Sequence, residues 1–215
     1  MKTKLLYVCA IALVAILAVP SVARANLLSN PGFETWVDYE GANVPADWMH
    51  IFNDAWLAGT QETTIVKSGS SSGKIQTNNI ATSWGGWFQQ KPFTAGDTLY
   101  AQTYVNVPSV PSFDVATLKV YFLNSSGAVI GSSRVEENST TSGWEVLSLS
   151  AVAPTGTTKF EFGVLMEGWG SGPFSSTIYF DDAYADSTPV PEPNTLLLLG
   201  SGLVGLIGFV KRKRS

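Results

Sequence analysis

Between residues 26 and 185 no stretch of the chain sustains the 3.6-residue periodicity of an amphipathic helix. Short runs rich in Val, Ile, Thr, Phe and Tyr instead alternate with clusters of Gly, Pro, Asn and Ser, the pattern of strands separated by turns. In 159–167, Phe160, Phe162, Val164 and Met166 fall on one face of an extended chain, with Glu161 and Gly163 on the other. Leu118, Val120 and Phe122 repeat the alternation, and Asn124-Ser125-Ser126-Gly127 turns the chain into 128–130, which predicts a hairpin. Further strands are expected at 26–33, 63–66, 73–77, 87–90, 97–107, 143–152 and 177–184, and His50 falls in another extended run. Many short strands at this spacing predict an all-β fold, an antiparallel β-sandwich over residues 26–185.

The two ends read as targeting segments. Lys2 and Lys4, an apolar run over 5–19, Pro20 and the small-residue site Ala23-Arg24-Ala25 have the three-part form of a secretory signal peptide, residues 1–25. Cys9, the one cysteine, lies inside it, so no disulfide is available to support the sandwich. At the other end, a Pro-rich linker (186–194) carries Pro191-Glu192-Pro193 and leads into an apolar run at 195–210. Lys211, Arg212, Lys213 and Arg214 follow it, and the positive-inside rule keeps such a cluster cytoplasmic. Residues 195–215 are therefore expected to form a transmembrane helix with a basic tail.

With both ends set aside, six Lys and Arg face sixteen Asp and Glu, a charge near −10. Nucleic-acid binding needs a basic footprint, so that class is excluded. Carboxylates on an exported surface do suit divalent cations. His50 is the only histidine, which removes any His-based metal cluster, and no nucleophile elbow accompanies a serine. A small glycoside hydrolase built on paired carboxylates stays open as the lesser alternative.

Aromatic side chains supply the binding candidates. Trp84-Gly85-Gly86-Trp87 and Gly168-Trp169-Gly170 set tryptophan among glycines, where nothing local covers the ring, and Trp36 and Trp56 fall in expected loops. Each serves equally as a platform for the apolar face of a sugar or as a plug for a loop. Gln89, Gln90 and Tyr121 are candidate hydrogen-bonding partners for sugar hydroxyls.

Two resemblances narrow this reading. The order Pro191-Glu192-Pro193, apolar run, basic cluster resembles the PEP-CTERM sorting signal. It implies recognition by an exosortase-type membrane enzyme, removal of the tail, and delivery to the cell surface or extracellular matrix of a Gram-negative bacterium. The opening run Asn26-Leu27-Leu28-Ser29-Asn30-Pro31-Gly32-Phe33-Glu34 and the closing run Ile178-Tyr179-Phe180-Asp181-Asp182-Ala183 resemble the ends of a CenC-like carbohydrate-binding module. That likeness extends to Pro45-Ala46-Asp47-Trp48, to 92–100, and to Trp144 with 153–157. It implies a jelly-roll sandwich whose first and last strands are neighbours, with Trp48 and Trp144 in the core. It also implies a structural calcium held by the Gly32 carbonyl, the Glu34 carboxylate and Asp181, or Asp182 in its place. The function these resemblances imply is non-catalytic binding of extracellular polysaccharide; the alternative is a structural or adhesive matrix protein with no sugar site.

Overall fold

The computed structural model describes residues 26–52, 57–77, 80–81, 84–109, 114–168, 171–172 and 175–188. The expected signal peptide, the Pro-Glu-Pro motif, the apolar C-terminal run and the Lys211–Arg214 cluster lie outside the described residues, as do Trp56 and Trp169. Among the described residues no helix is long and apolar enough to cross a membrane.

The described strands are β1 (Trp36–Tyr39), β2 (Ala42–Pro45), β3 (Met49–Phe52), β4 (Leu57–Glu62), β5 (Ser72–Thr77), β6 (Ile80–Ala81) and β7 (Trp84–Pro92). They continue with β8 (Thr98–Ser109), β9 (Asp114–Leu123), β10 (Val129–Glu137), β11 (Trp144–Val152), β12 (Lys159–Gly168), β13 (Ser171–Gly172) and β14 (Ser176–Asp186). Two five-stranded antiparallel sheets form the sandwich. One runs β10-β9-β12-β7-β3 and the other β11-β8-β14-β5-β4.

Alternation decides which side chains meet between the sheets. From β12 the inner face takes Phe160, Phe162, Val164 and Met166, and from β9 it takes Ala116, Leu118, Val120 and Phe122, all essentially sealed from solvent. The facing sheet contributes Leu99, Ala101 and Val105 from β8 and Ile178 and Phe180 from β14. Trp87 completes the core, and its ring lies so close to Gly59 and Gly73 that a Cβ on either would stand 2.6–2.7 Å from a ring carbon. The glycines in β4 and β5 are thus the space the indole occupies. The hairpin between β9 and β10 closes as expected: Asn124 Oδ1 accepts from the Ser126 and Ala128 amides, and Gly127 takes the positive φ of 80°.

Two expected strands are absent. Residues 63–66 form bends after β4, where the Thr63 and Thr64 amides donate to the Glu62 carboxylate instead of to a neighbouring strand. Residues 26–33 run as irregular chain, with Asn30 at φ 46° and Phe33 at φ 54°. This segment nonetheless lies beside β14, because the Leu27 amide donates to the Ala185 carbonyl and the Ala183 amide to the Pro31 carbonyl. Asn26 adds a reciprocal pair, donating to Ala183 O and accepting from the Ala185 amide. Trp144 also departs from expectation. It pairs with Asn106 on the opposite side of β11 from the buried Leu147, so it faces outward and not into the core.

Candidate functional site

Two places bring expected site residues together. The first is the seam where the opening segment meets β14. The register of β14 shifts between Asp181 and Tyr184, and Asp182 takes φ 48°, so a bulge turns consecutive aspartates toward the opening segment. A Cβ placed on Gly32 would stand 3.8 Å from an oxygen of each of Asp181 and Asp182 and 3.7 Å from Glu34 Cγ. Asp181 is fully buried; one oxygen accepts from the Lys67 and Ser68 amides and the other from the Asp182 amide. Burial pushes its pKa up to about 6, against the lowering effect of those three amides. Asp182 accepts from the Ser68 hydroxyl.

Glu34 behaves differently. Its carboxylate takes the Ser70 amide and hydroxyl and lies against Gly69, where a Cβ would stand 2.0 Å from Oε1. Partial burial raises its pKa, and the Ser70 and Ser71 hydrogen bonds outweigh that, so the net direction is downward. The Glu34 carboxylate is therefore held by the 69–71 loop and does not join the two aspartates in one shell. Among the described residues no three His, Cys, Asp or Glu side chains converge closely enough to cage an ion. Of the expected set, the structure brings Asp181 and Asp182 together beside Gly32, with Glu34 turned to the 69–71 loop.

The second place is the outer face of the β10-β9-β12-β7-β3 sheet. Cross-strand register sets Tyr121 beside Glu161 and Gln90, Lys119 beside Gly163 and Phe88, and Glu167 beside Trp84. Gly163 lacks a side chain where the Phe88 ring lies, since a Cβ there would stand 2.8 Å from ring carbons. The resulting depression, about 310 Å³, is lined by Trp84, Phe88, Lys119, Tyr121, Glu161, Leu165 and Glu167, with Ile51 at its rim. Trp84 is 39% exposed, and Tyr121 is half-buried with the Lys119 ammonium 5.0 Å from its ring centre. Glu167, almost buried, accepts from Thr117 (2.9 Å) and meets Lys119 at 3.4 Å and Arg134 at 3.7 Å. Burial works to lower the Lys119 pKa, but Tyr121 and Glu167 outweigh it and hold it above its ordinary value. Gln90 donates to Glu161 at 2.7 Å. Sequence reasoning passed over Lys119, Glu161 and Glu167; only the pairing of β9, β12 and β7 puts them beside Trp84.

The remaining expected sugar ligands are redirected. Trp87, three residues beyond Trp84 on β7, points the other way and is fully buried, so it offers no ring to a ligand. Gln89 is buried and spends its amide on Ser29, donating to the carbonyl and accepting from the amide. Trp36 packs edge-on against Trp87 at 5.9 Å and donates its indole N–H to the Phe33 carbonyl. These three side chains hold the opening segment onto the sandwich.

Comparison with known proteins bears on the tail and on the fold. A profile described as the PEP-CTERM protein-sorting motif matches residues 189–214, so the chain carries that sorting signal. No curated protein matches the sequence. Solved structures share the sandwich. TmCBM61, solved with β-1,4-galactotriose, aligns over 76% of this chain and 99% of its own, at 18% identity and a TM-score of 0.50. The CBM22-1 xylan-binding domain from Paenibacillus barcinonensis aligns over 76% and 96%, at 15% identity and a TM-score of 0.50. An enzymatically active domain of a bacteriophage CBA120 tailspike protein aligns over 74% of this chain but only 21% of its own, at 12% identity and a TM-score of 0.54. The fold is the β-sandwich of carbohydrate-binding modules, joined to a PEP-CTERM tail.

Proposed function

We propose that the sandwich is a non-catalytic module that binds a polysaccharide along the outer face of the β10-β9-β12-β7-β3 sheet. The observation that carries this reading is the open depression between Trp84 and Tyr121. Partly exposed aromatic rings stand there beside carboxylate, amide and ammonium groups, the combination that recognises an amphipathic pyranose. Trp84 and Tyr121 supply the stacking surfaces, and Gln90, Glu161 and Glu167 supply polar groups for hydroxyls, with the buried Thr117 hydroxyl holding Glu167 in place. The structural neighbours that bind galactotriose and xylan support the choice of ligand class.

Carboxylate spacing supports a binding role over hydrolysis. Glu161 and Glu167 share a face of β12 six residues apart, roughly 20 Å along an extended strand. Glycoside hydrolysis needs two carboxyl groups about 5–9.5 Å apart. The jelly-roll reading rests on the strand order of the two sheets, in which sequence neighbours such as β7 and β8 lie in opposite layers.

The sorting motif supports an exported chain whose tail spans the inner membrane transiently, is cut by an exosortase-type enzyme, and leaves the sandwich at the cell surface or in the extracellular matrix of a Gram-negative bacterium. A calcium ion at the seam would add a fixed positive charge beside Asp181 and Asp182; it would act on stability and take no part in the sugar site.

Affinity electrophoresis of the full chain through gels loaded with xylan or with β-1,4-galactan tests the binding reading. Retardation by one of them, strongly weakened in the Trp84→Ala, Tyr121→Ala double variant, is the expected result. Unretarded migration in both gels, or retardation that the double variant keeps in full, would overturn the groove as the binding site.

A further inference from the structure

The outer face of the other sheet carries its own pattern, and nothing described so far uses it. Along β8 the exposure alternates strictly, with positions 98, 100, 102, 104 and 106 half-exposed and the intervening ones buried. Pairing with β11 aligns the outward positions 144–152 against them, Ser150 beside Tyr100 and Ser148 beside Gln102. On the other side of β8, Tyr184 of β14 lies beside Gln102. Three tyrosines, Tyr100, Tyr104 and Tyr184, therefore surround one glutamine on a single sheet face. Their neighbours are two serines, with a shallow depression of about 340 Å³ over Tyr100, Gln102, Ser148 and Ser150.

The charge of this face sets it apart. None of the ten outward side chains of β8 and β11 is an acid or a base, and seven of them carry a hydroxyl or an amide. In a domain whose charge is near −10, this is a neutral stripe; the acids beside it on β14, Asp181 and Asp186, are both buried. One cation approaches it: Lys67 Nζ stands 4.6 Å from the Tyr104 ring centre and covers that ring. Tyr100 remains for a ligand, as does the ring of Tyr184, whose hydroxyl donates to the Thr188 carbonyl. An anionic polymer or a lipid surface would find no basic group on β8 or β11, and an isologous protein interface of standard size needs a more apolar centre than seven polar side chains provide. Hydroxyl and amide groups around half-buried phenol rings match a neutral sugar chain, whose hydroxyls both donate and accept.

We infer that this face is a second polysaccharide-binding surface, for uncharged glycan chains, and that the module is two-sided: one chain lies on the Trp84 groove and another on the Tyr100–Gln102–Tyr184 face. The inference rests on the proposed function for the ligand class only; its residues are separate. Because the faces belong to opposite sheets, one molecule holds two chains apart and cannot engage a single chain with both. Its consequence is cross-linking of polymer, with avidity wherever chains are dense.

The experiment uses the full chain with xylan and β-1,4-galactan, read as retardation in gels and as turbidity of the polymer solution. The wild type should raise turbidity. The Trp84→Ala, Tyr121→Ala variant should abolish the turbidity yet keep weak retardation, and adding Tyr100→Ala should weaken that residue of binding about tenfold. Ser148→Arg, which obstructs the face without opening the core, should do the same and covers the case in which Tyr100→Ala fails to fold. Turbidity and residual retardation unchanged by both Tyr100→Ala and Ser148→Arg would overturn the second surface while leaving the groove intact. Light scattering without polymer that shows self-association abolished by Ser148→Arg would overturn it in favour of an interface between copies. Unretarded migration in both gels would overturn both readings.

Discussion

The seam at Gly32 and the groove at Trp84 both gather acidic side chains, and they answer them in opposite ways. At the seam, Asp181 and Glu34 are met by main-chain amides and serine hydroxyls, and among the described residues neither has a cationic side chain as an ion-pair partner. In the groove, Glu167 is met by Lys119 and Arg134 and by a threonine hydroxyl. Amides from a folded loop are available only when that loop is in place, so the seam couples its charges to the closure of the chain. Lysine and arginine on a sheet face bring their own charge and can exchange partners with a ligand. The contrast separates a region that holds the fold from a region suited to bind.

The largest effect should come from the seam's apolar plug. Phe33 is fully buried and stacks on Trp48 at a centroid distance of 4.9 Å, so Phe33→Ala should cost about 3–5 kcal/mol in urea denaturation. Polysaccharide retardation of the protein that remains folded should not change; if it falls in step, seam and groove are one unit. Next in size is Trp84→Ala, expected to weaken retardation about tenfold, on the order of 1.4 kcal/mol, with a Tm close to wild type. A large drop in Tm would make Trp84 a structural residue.

The third effect is a pH dependence of unusual sign. The folded-state pKa of Asp181, about 6, lies above its ordinary 3.8, so the native state binds this proton more tightly than the unfolded chain. Its contribution to stability is greatest below the ordinary value and declines as pH rises through 3.8 to 6. Asp114, raised by burial against a hydrogen bond from Ser176, acts in the same direction; Glu34 and Glu62, both lowered, act oppositely and below 4.5. In chelator, Tm should therefore fall between about pH 4.5 and 6.5, and Asp181→Asn should flatten that part of the profile. Calcium should raise Tm more at pH 7 than at pH 4.5, and a response of equal size at both would remove the ion from Asp181. The smallest effect belongs to Arg134→Gln. Its guanidinium is half exposed in its contacts with Glu136 and Glu167, so a loss of less than about 1 kcal/mol is expected. A larger loss would make the groove, like the seam, part of what holds the sandwich.

Alternation was strong enough in the sequence to place β8, β9, β12 and β14 and to sort the core residues of β12 correctly, because alternate side chains of each are apolar and face the dry interior; exposure itself alternates strictly only along β8, whereas β9, β12 and β14 are covered on both faces over part of their length. The Asp181 end of the seam was legible through its likeness to a known motif. The tryptophans were not. Trp84 and Trp87 look alike in a Gly-rich run, and only the parity of β7 sends one outward and the other between the sheets. Gln89 looked like a ligand because a polar residue in a strand reads as outward, yet a segment 60 residues away supplies both of its hydrogen bonds. The irregular course of residues 26–33 was hidden for a related reason: its backbone groups are satisfied by side chains and by β14, which local composition does not report.

β14 is flanked on one side by β8 and on the other by β5. The segment that bears the sorting signal continues from that strand. A pull transmitted through the tail, during export or while the chain is tethered, would enter along the axis of a central strand. Its ladders to β8 and β5 would then be loaded in shear, many hydrogen bonds together, where a tail leaving an edge strand would peel them one at a time. Strand order alone would thus let the sandwich resist such a pull in shear.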